Sequence, residues 1–92
     1  MPNICIHATI TGKVQGVFYR AHTRDKARSL NLSGWVKNNP NGTVELEAYG
    51  EENSVMQLVD WLKEGSPEAI VVNVEWELCD HTYKNDFKII YE

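Results

Sequence analysis

Hydrophobic and polar residues alternate near the start of the chain. Ile4, Ile6, Ala8 and Ile10 fall on one side, and Cys5, His7, Thr9 and Thr11 on the other. A period of two predicts a strand over 4–11. One apolar and one mixed face suit a sheet covered by helices on a single side. The period then changes: Tyr19, Thr23, Ala27 and Leu30 recur at helical spacing, predicting a helix from about Phe18 to Leu30 with one apolar face. Arg24, Lys26 and Arg28 fall largely off that face and read as a solvated flank. Asn31 suits a left-handed C-cap, because Asn tolerates positive φ next best to Gly.

Ser33 to Tyr49 reads as a hairpin. Residues 34–38 enter, Asn39-Pro40-Asn41-Gly42 turns, and residues 43–49 return. Pro pre-sets its own φ while Asn and Gly accept positive values, which makes this strong turn chemistry. On the returning strand Val44, Leu46 and Ala48 face the core while Glu45 and Glu47 face out. The same alternation groups Gly34, Val36 and Asn38, placing Asn38 at a strand end on the helix-covered face. Asn53 or Ser54 is positioned to cap a second helix carrying the stripe Val55, Leu58, Val59 and Leu62, ended by Gly65 and Pro67. Further on, Ile70, Val72, Val74, Trp76 and Leu78 alternate inward against Asn73, Glu75, Glu77 and Cys79. Asp80 to Asp86 is polar and loop-like, and Phe87, Ile89 and Tyr91 alternate in a short final strand.

The order is β-α-β-β-α-β plus a short C-terminal strand. That predicts an α+β fold: a ferredoxin-like α/β sandwich with two helices on one face of a mostly antiparallel sheet. Ninety-two residues supply one core rather than two, so one domain spanning 1–92 is expected, and a monomer at this size. With 42% hydrophobic and 24% charged residues, the composition is that of a soluble globular protein. No apolar run approaches the roughly 18 residues of a membrane span, and no basic-then-apolar segment opens the chain. The expectation is a cytoplasmic protein with no membrane partner. A net charge of −4 counts against a nucleic-acid surface, whose affinity rests on many Lys and Arg contacts to phosphate. It does not count against one small anion in a locally positive pocket.

Two cysteines are too few for a disulfide scaffold. With His7, His22 and His81 they show no zinc-ligand spacing, so no metal site is read. Cys5 and Cys79 project from the outward face near opposite ends of their strands, so antiparallel pairing would make a disulfide geometrically possible. Reducing conditions in the cytosol favour two free thiols.

Between the first strand and first helix lies Gly12-Lys13-Val14-Gln15-Gly16-Val17-Phe18-Tyr19-Arg20. A loop feeding a helix N-terminus offers unpaired N–H groups and the positive end of the helix dipole. Arg20, in the first helical turn, adds a charged fork matched to phosphate oxygens. A plain surface arginine there would sit against the dipole, a conflict that an anion removes. Gly12 and Gly16 serve turn geometry equally well, or, at Gly16, close approach by a ligand. Asn38 either bonds its own hairpin or, since a carboxamide both donates and accepts, orients a water molecule. His22 points to another side of the helix from Arg20 and reads as structural or solvent-facing. Neither cysteine has a neighbouring base or helix terminus, and no serine sits in a nucleophile turn.

These residues resemble a known family. The run from Gly12 to Arg20 is similar to the first motif of the acylphosphatases, and Gly34-Trp35-Val36-Lys37-Asn38 followed by Gly42-Thr43-Val44-Glu45 is similar to the second. Element order, length and the closing Phe87-Lys88-Ile89-Ile90-Tyr91 extend the resemblance over essentially the whole chain. Asn41 stands where members commonly have Asp, and Asn31 where a glycine often ends the helix; both are turn positions. The resemblance implies hydrolysis of a small-molecule acyl phosphate, with no metal or other cofactor. Arg20 would hold the phosphate, aided by loop amides over Val14, Gln15, Gly16, Val17, Phe18, Tyr19 and Arg20, and Asn38 would position the attacking water. Two other functions compete. A non-catalytic anion-binding or regulatory module would keep the cradle and need no water-positioner. An RNA-binding domain would need exposed aromatics in a basic surround, which the acidic balance and an inward Trp76 oppose.

Overall fold

The alternation and helical spacing become seven elements in the computed structural model, which describes residues 2–84 and 86–91. They are β1 (Asn3–Lys13), α1 (Tyr19–Ser29), β2 (Ser33–Asn38), β3 (Val44–Glu51), α2 (Glu52–Leu62), β4 (Ile70–Cys79) and β5 (Phe87–Ile90). The strands form one mixed sheet in the order β4-β1-β3-β2-β5. Among the described residues only β2 and β5 pair in parallel. The C-terminal strand thus sits at an edge beside β2, with Val36 opposite Ile89. Both β1 and β2 run antiparallel to β3, so their C-terminal ends lie at the same end of the sheet. The glycine loop leaves β1 there, and Asn38 ends β2 there.

Helix α1 packs over β2 and β5, and α2 over β1 and β3. The predicted faces meet between these layers: Ile6, Ala8, Ile10, Val36, Val44, Leu46, Val55, Leu58, Leu62 and Phe87 are all buried. The predicted α1 face is equally buried at Tyr19, Thr23 and Ala27. Asn31 has φ 59 and closes α1 as expected. The Leu32 N–H donates to Ala27 O and the Asn31 N–H to Arg28 O, the paired bonds of a Schellman ending.

Four expectations need correction. First, α2 begins at Glu52 with Glu51 as its cap residue and no side-chain cap bond, so neither Asn53 nor Ser54 caps it. Strand β3 runs straight into the helix, and Pro2 O accepts from the Glu52 N–H instead. Second, β4 is an edge strand without a helix of its own. Trp76 and Leu78 do share the core face, opposite Ala8 and Ile6, yet Leu78 is 67% exposed. A register shift between Thr11 and Gly12 then reverses the phase. Val71 packs on the core, leaving Ile70 and Val72 exposed. Third, Cys5 and Cys79 are disulfide-bonded rather than free thiols, because antiparallel pairing sets them directly opposite each other with Cα atoms 5.1 Å apart. Fourth, Arg28 is not simply solvated. Its guanidinium donates to both carboxylate oxygens of Asp86, at 2.8 and 2.9 Å, and to Phe87 O at 3.2 Å. This fork ties α1 to the start of β5 and holds the Asp86 carboxyl below the ordinary carboxylate range.

Candidate active site

Strand β1 extends to Lys13, two residues beyond the expected end, so Gly12 belongs to the ladder rather than the loop. There φ is 136°, and a side-chain β-carbon would collide with the Ile70 carbonyl oxygen and lie 2.8 Å from the Val72 nitrogen. Gly12 therefore permits close backbone approach across the β1–β4 bulge. Gly16 differs: φ is 75°, and a β-carbon there would meet nothing within 4 Å.

After Gly16 the chain turns through Phe18, a non-glycine residue in the left-handed region (φ 61, ψ 22) that caps α1 without a side-chain bond. A bulky residue in that conformation is uncommon and strained, and such strain concentrates at functional sites. Val14, Val17 and Tyr19 are buried and anchor the loop, so its ligand-facing surface is its backbone. Among the described residues, no backbone N–H from Gln15 to Ala21 donates a hydrogen bond. Successive free amides before a helix start form an anion-binding concavity.

The loop borders a cavity of about 320 Å³, walled by Val14, Gly16, Phe18 and Arg20 on one side and by Ile89 and Tyr91 on the other. The Arg20 guanidinium stacks over the Tyr91 ring at 5.2 Å from its centroid. No carboxylate among the described residues lies within ion-pair distance of it, so the ring orients the charge without neutralising it.

Asn38 lies outside the cavity wall but shares its end of the sheet. It follows Val36, whose partner Ile89 lines the cavity. Its carboxamide oxygen is buried and accepts no hydrogen bond among the described residues, although leaving such a group unpaired costs about 1–3 kcal/mol. The hairpin is satisfied without it. Asn39 and Asn41 bond Thr43, so the structural role open to Asn38 falls to its neighbours.

Gln15 has a part that its sequence position does not reveal. Its Nε2 donates to Asn39 O at 2.8 Å and Thr43 O at 2.9 Å, clipping the loop to the turn next to Asn38. His22 is exposed, as expected.

A second polar cluster sits on the sheet face away from the helices. Glu47 points there as expected, yet its side chain is only 7% exposed, because residues 80–84 fold over it. It accepts from Tyr83 Oη at 2.5 Å, and His81 and His7 place Nδ1 at 2.7 and 2.8 Å from its oxygens. Burial pushes the carboxyl up, but these three hydrogen bonds outweigh burial and hold it below the usual range. His7 Nε2 also meets Glu45 at 2.8 Å, and Trp35 Nε1 donates to Tyr83 at 3.0 Å. No sequence signal marks the cluster; it is the strand register that sets Glu47 between His7 and Trp35.

The acylphosphatase family profile matches residues 6–89. The chain is 54% identical over 85 residues to an acylphosphatase of Coxiella burnetii, covering 92% of this chain and 90% of the relative. Among solved structures, an acylphosphatase from Coxiella burnetii superposes with a TM-score of 0.92 at 51% identity, covering 96% of this chain and 93% of that one. The Bacillus subtilis acylphosphatase superposes at 0.91 with 32% identity, covering 96% and 99%.

Proposed function

This chain belongs to the acylphosphatase family, and from that premise we propose which of its residues carry the reaction. It hydrolyses acyl phosphates to a carboxylate and inorganic phosphate. In our proposal the phosphoryl oxygens are held by the free amides of the 14–20 loop and by the Arg20 guanidinium, which has no carboxylate partner of its own among the described residues. The Asn38 carboxamide, whose buried Oδ1 has no partner to hold it among the described residues, turns that oxygen to the attacking water and accepts one hydrogen bond from it. That orphaned acceptor is the observation that carries the catalytic reading over a passive anion-binding module, which has no use for it.

The chemistry asks for little more. Water oxygen bonds to phosphorus as the bond from phosphorus to the acyl oxygen breaks, and the carboxylate leaves. The water's proton passes to a phosphoryl oxygen of the substrate itself, so the dianionic acyl phosphate yields a carboxylate and monoanionic phosphate. A mixed anhydride has a good leaving group, so positioning and charge stabilisation supply most of the acceleration. We further read the protein as a single-domain cytoplasmic monomer with no nucleic-acid partner. The net charge of −4 supports the last point, and no described helix is long and apolar enough to cross a membrane.

Hydrolysis of a small aryl acyl phosphate with a chelator present tests the assignment. Arg20→Ala and Asn38→Ala are each expected to lower kcat/KM by about 10²–10³, the scale of one preorganised donor, with the fold intact by circular dichroism. Near-parental turnover in either folded variant removes that residue from the mechanism.

A further inference from the structure

The helix-free face gathers donor atoms that lie far apart in sequence. The Sγ atoms of Cys5 and Cys79 and a carboxylate oxygen of Glu47 all lie within 4.8 Å of one another. All three residues are at least half-buried, and they stand on the opposite side of the sheet from Arg20 and Asn38. We propose that in its reduced form the chain binds one zinc ion through Cys5, Cys79 and Glu47.

The chemistry of the surroundings favours a cation there. Reduction of the disulfide by a dithiol transfers two electrons and two protons, leaving two Cys–SH groups and the dithiol as its own disulfide. Those thiols then face a carboxylate that hydrogen bonds hold ionised. Two cysteine sulfurs and a carboxylate oxygen converging within 4.8 Å are a donor set that zinc accepts, and its binding releases up to two thiol protons to solvent. Tetrahedral zinc with bonds of about 2.0–2.3 Å places its donors roughly 3.5–3.8 Å apart. Once the S–S bond is broken the two sulfurs are free to move apart to that spacing, and the carboxylate, already within 4.8 Å, must draw in.

The supporting groups are already in position. Glu47 accepts three of its roughly four possible hydrogen bonds, two on Oε1 from His81 and Tyr83 and one on Oε2 from His7. One acceptor position of the carboxylate therefore stays open for the metal, while three partners fix the group in the manner of an outer ligand shell. A cavity of about 400 Å³ opens over Cys5, Cys79 and His81. It gives an entry path and room for a fourth ligand, either water or the exposed His81 imidazole.

The test uses the whole protein with zinc chloride alone, fully reduced or fully oxidised. Metal content after desalting should be one zinc per reduced chain and none per oxidised chain. Cobalt(II) should give thiolate charge-transfer absorption in the reduced protein only. Cys79→Ser should abolish binding, and Glu47→Gln should weaken it at least about tenfold. Acyl phosphate turnover by the same samples reports that the fold persists. A reduced, active protein that retains no stoichiometric zinc overturns the proposal, as does equal affinity in Glu47→Gln. If reduction unfolds the chain, zinc should restore activity and raise the melting midpoint; failure to do so also overturns it. None of these outcomes bears on the hydrolytic site.

Discussion

The Tyr19 hydroxyl, at the first residue of α1, donates to the carbonyl of Leu62, the last residue of α2, at 2.8 Å. A buried phenol thereby satisfies one of the orphan carbonyls at a helix end. The same ring fills the space over Gly65, where a β-carbon would sit 2.5 Å from Tyr19 Cε2. The residue next to Arg20 is therefore held from the far helix, and the cradle inherits the rigidity of the core.

Replacing Tyr19 by Phe should keep the packing and lose the bond. The expected loss is about 1–2 kcal/mol, read as a melting midpoint lower by roughly 4–8 °C per kcal/mol for a chain of this size. Burial also pushes the hydroxyl far above the ordinary value of 10.0. A raised folded pKa gives stability that is complete below pH 10 and lost as the pH rises further. That alkaline loss should be smaller in the Phe variant. An unchanged midpoint with an unchanged alkaline limb would show that the hydroxyl contributes nothing.

Gly12 and Gly16 read alike in the sequence and separate in the structure, so alanine at each should fail differently. Gly12→Ala drives a β-carbon into the β4 backbone and should destabilise by roughly 2–4 kcal/mol. Gly16→Ala meets open space, with only the strain of positive φ, about 1–2 kcal/mol. Gly16, however, lines the cavity that the loop borders, and an added methyl group at that wall should hinder ligand approach to the loop backbone. A folded Gly16→Ala protein should therefore lose at least about tenfold in kcat/KM. Parental kinetics in that variant would reduce Gly16 to a turn residue.

What could be read from the sequence followed the two periodicities. The faces of β1, α1, β3 and α2 came directly from them, and so did the position of Asn38 at the end of its strand. Position within the sheet was not legible. Alternation in Ile70 to Leu78 says which residues share a face but not that β4 lies at an uncovered edge, nor that a bulge at Gly12 reverses its phase. The outer-face cluster was hidden for a related reason. Glu47, His7 and His81 are far apart in the chain, and only strand register and the folded 80–84 segment bring them together. Gln15 has no periodic signal at all, since a lone loop glutamine finds its two carbonyls only once the hairpin turn is in place.

That cluster has a pH signature that can be isolated. The ordinary carboxyl value for Glu47 is 4.5, and its folded value lies lower: burial works against this, but the bonds from Tyr83, His7 and His81 prevail. The unfolded chain therefore takes up that proton more readily than the native one. The stability contributed is complete above pH 4.5 and is lost as the pH falls through the lower folded value. Asp86, bonded to Arg28, is shifted in the same direction, so acid destabilisation will not come from Glu47 alone. Glu47→Gln removes the one titration while leaving His7, His81, Tyr83 and Glu45 in place. Urea midpoints of the two oxidised proteins should differ most above pH 4.5, where losing the carboxylate acceptor costs about 1–3 kcal/mol, and should converge as the pH drops towards 2. Parallel curves across that range would mean that Glu47 has the same proton affinity folded and unfolded, and that the network stabilises by packing rather than by charge.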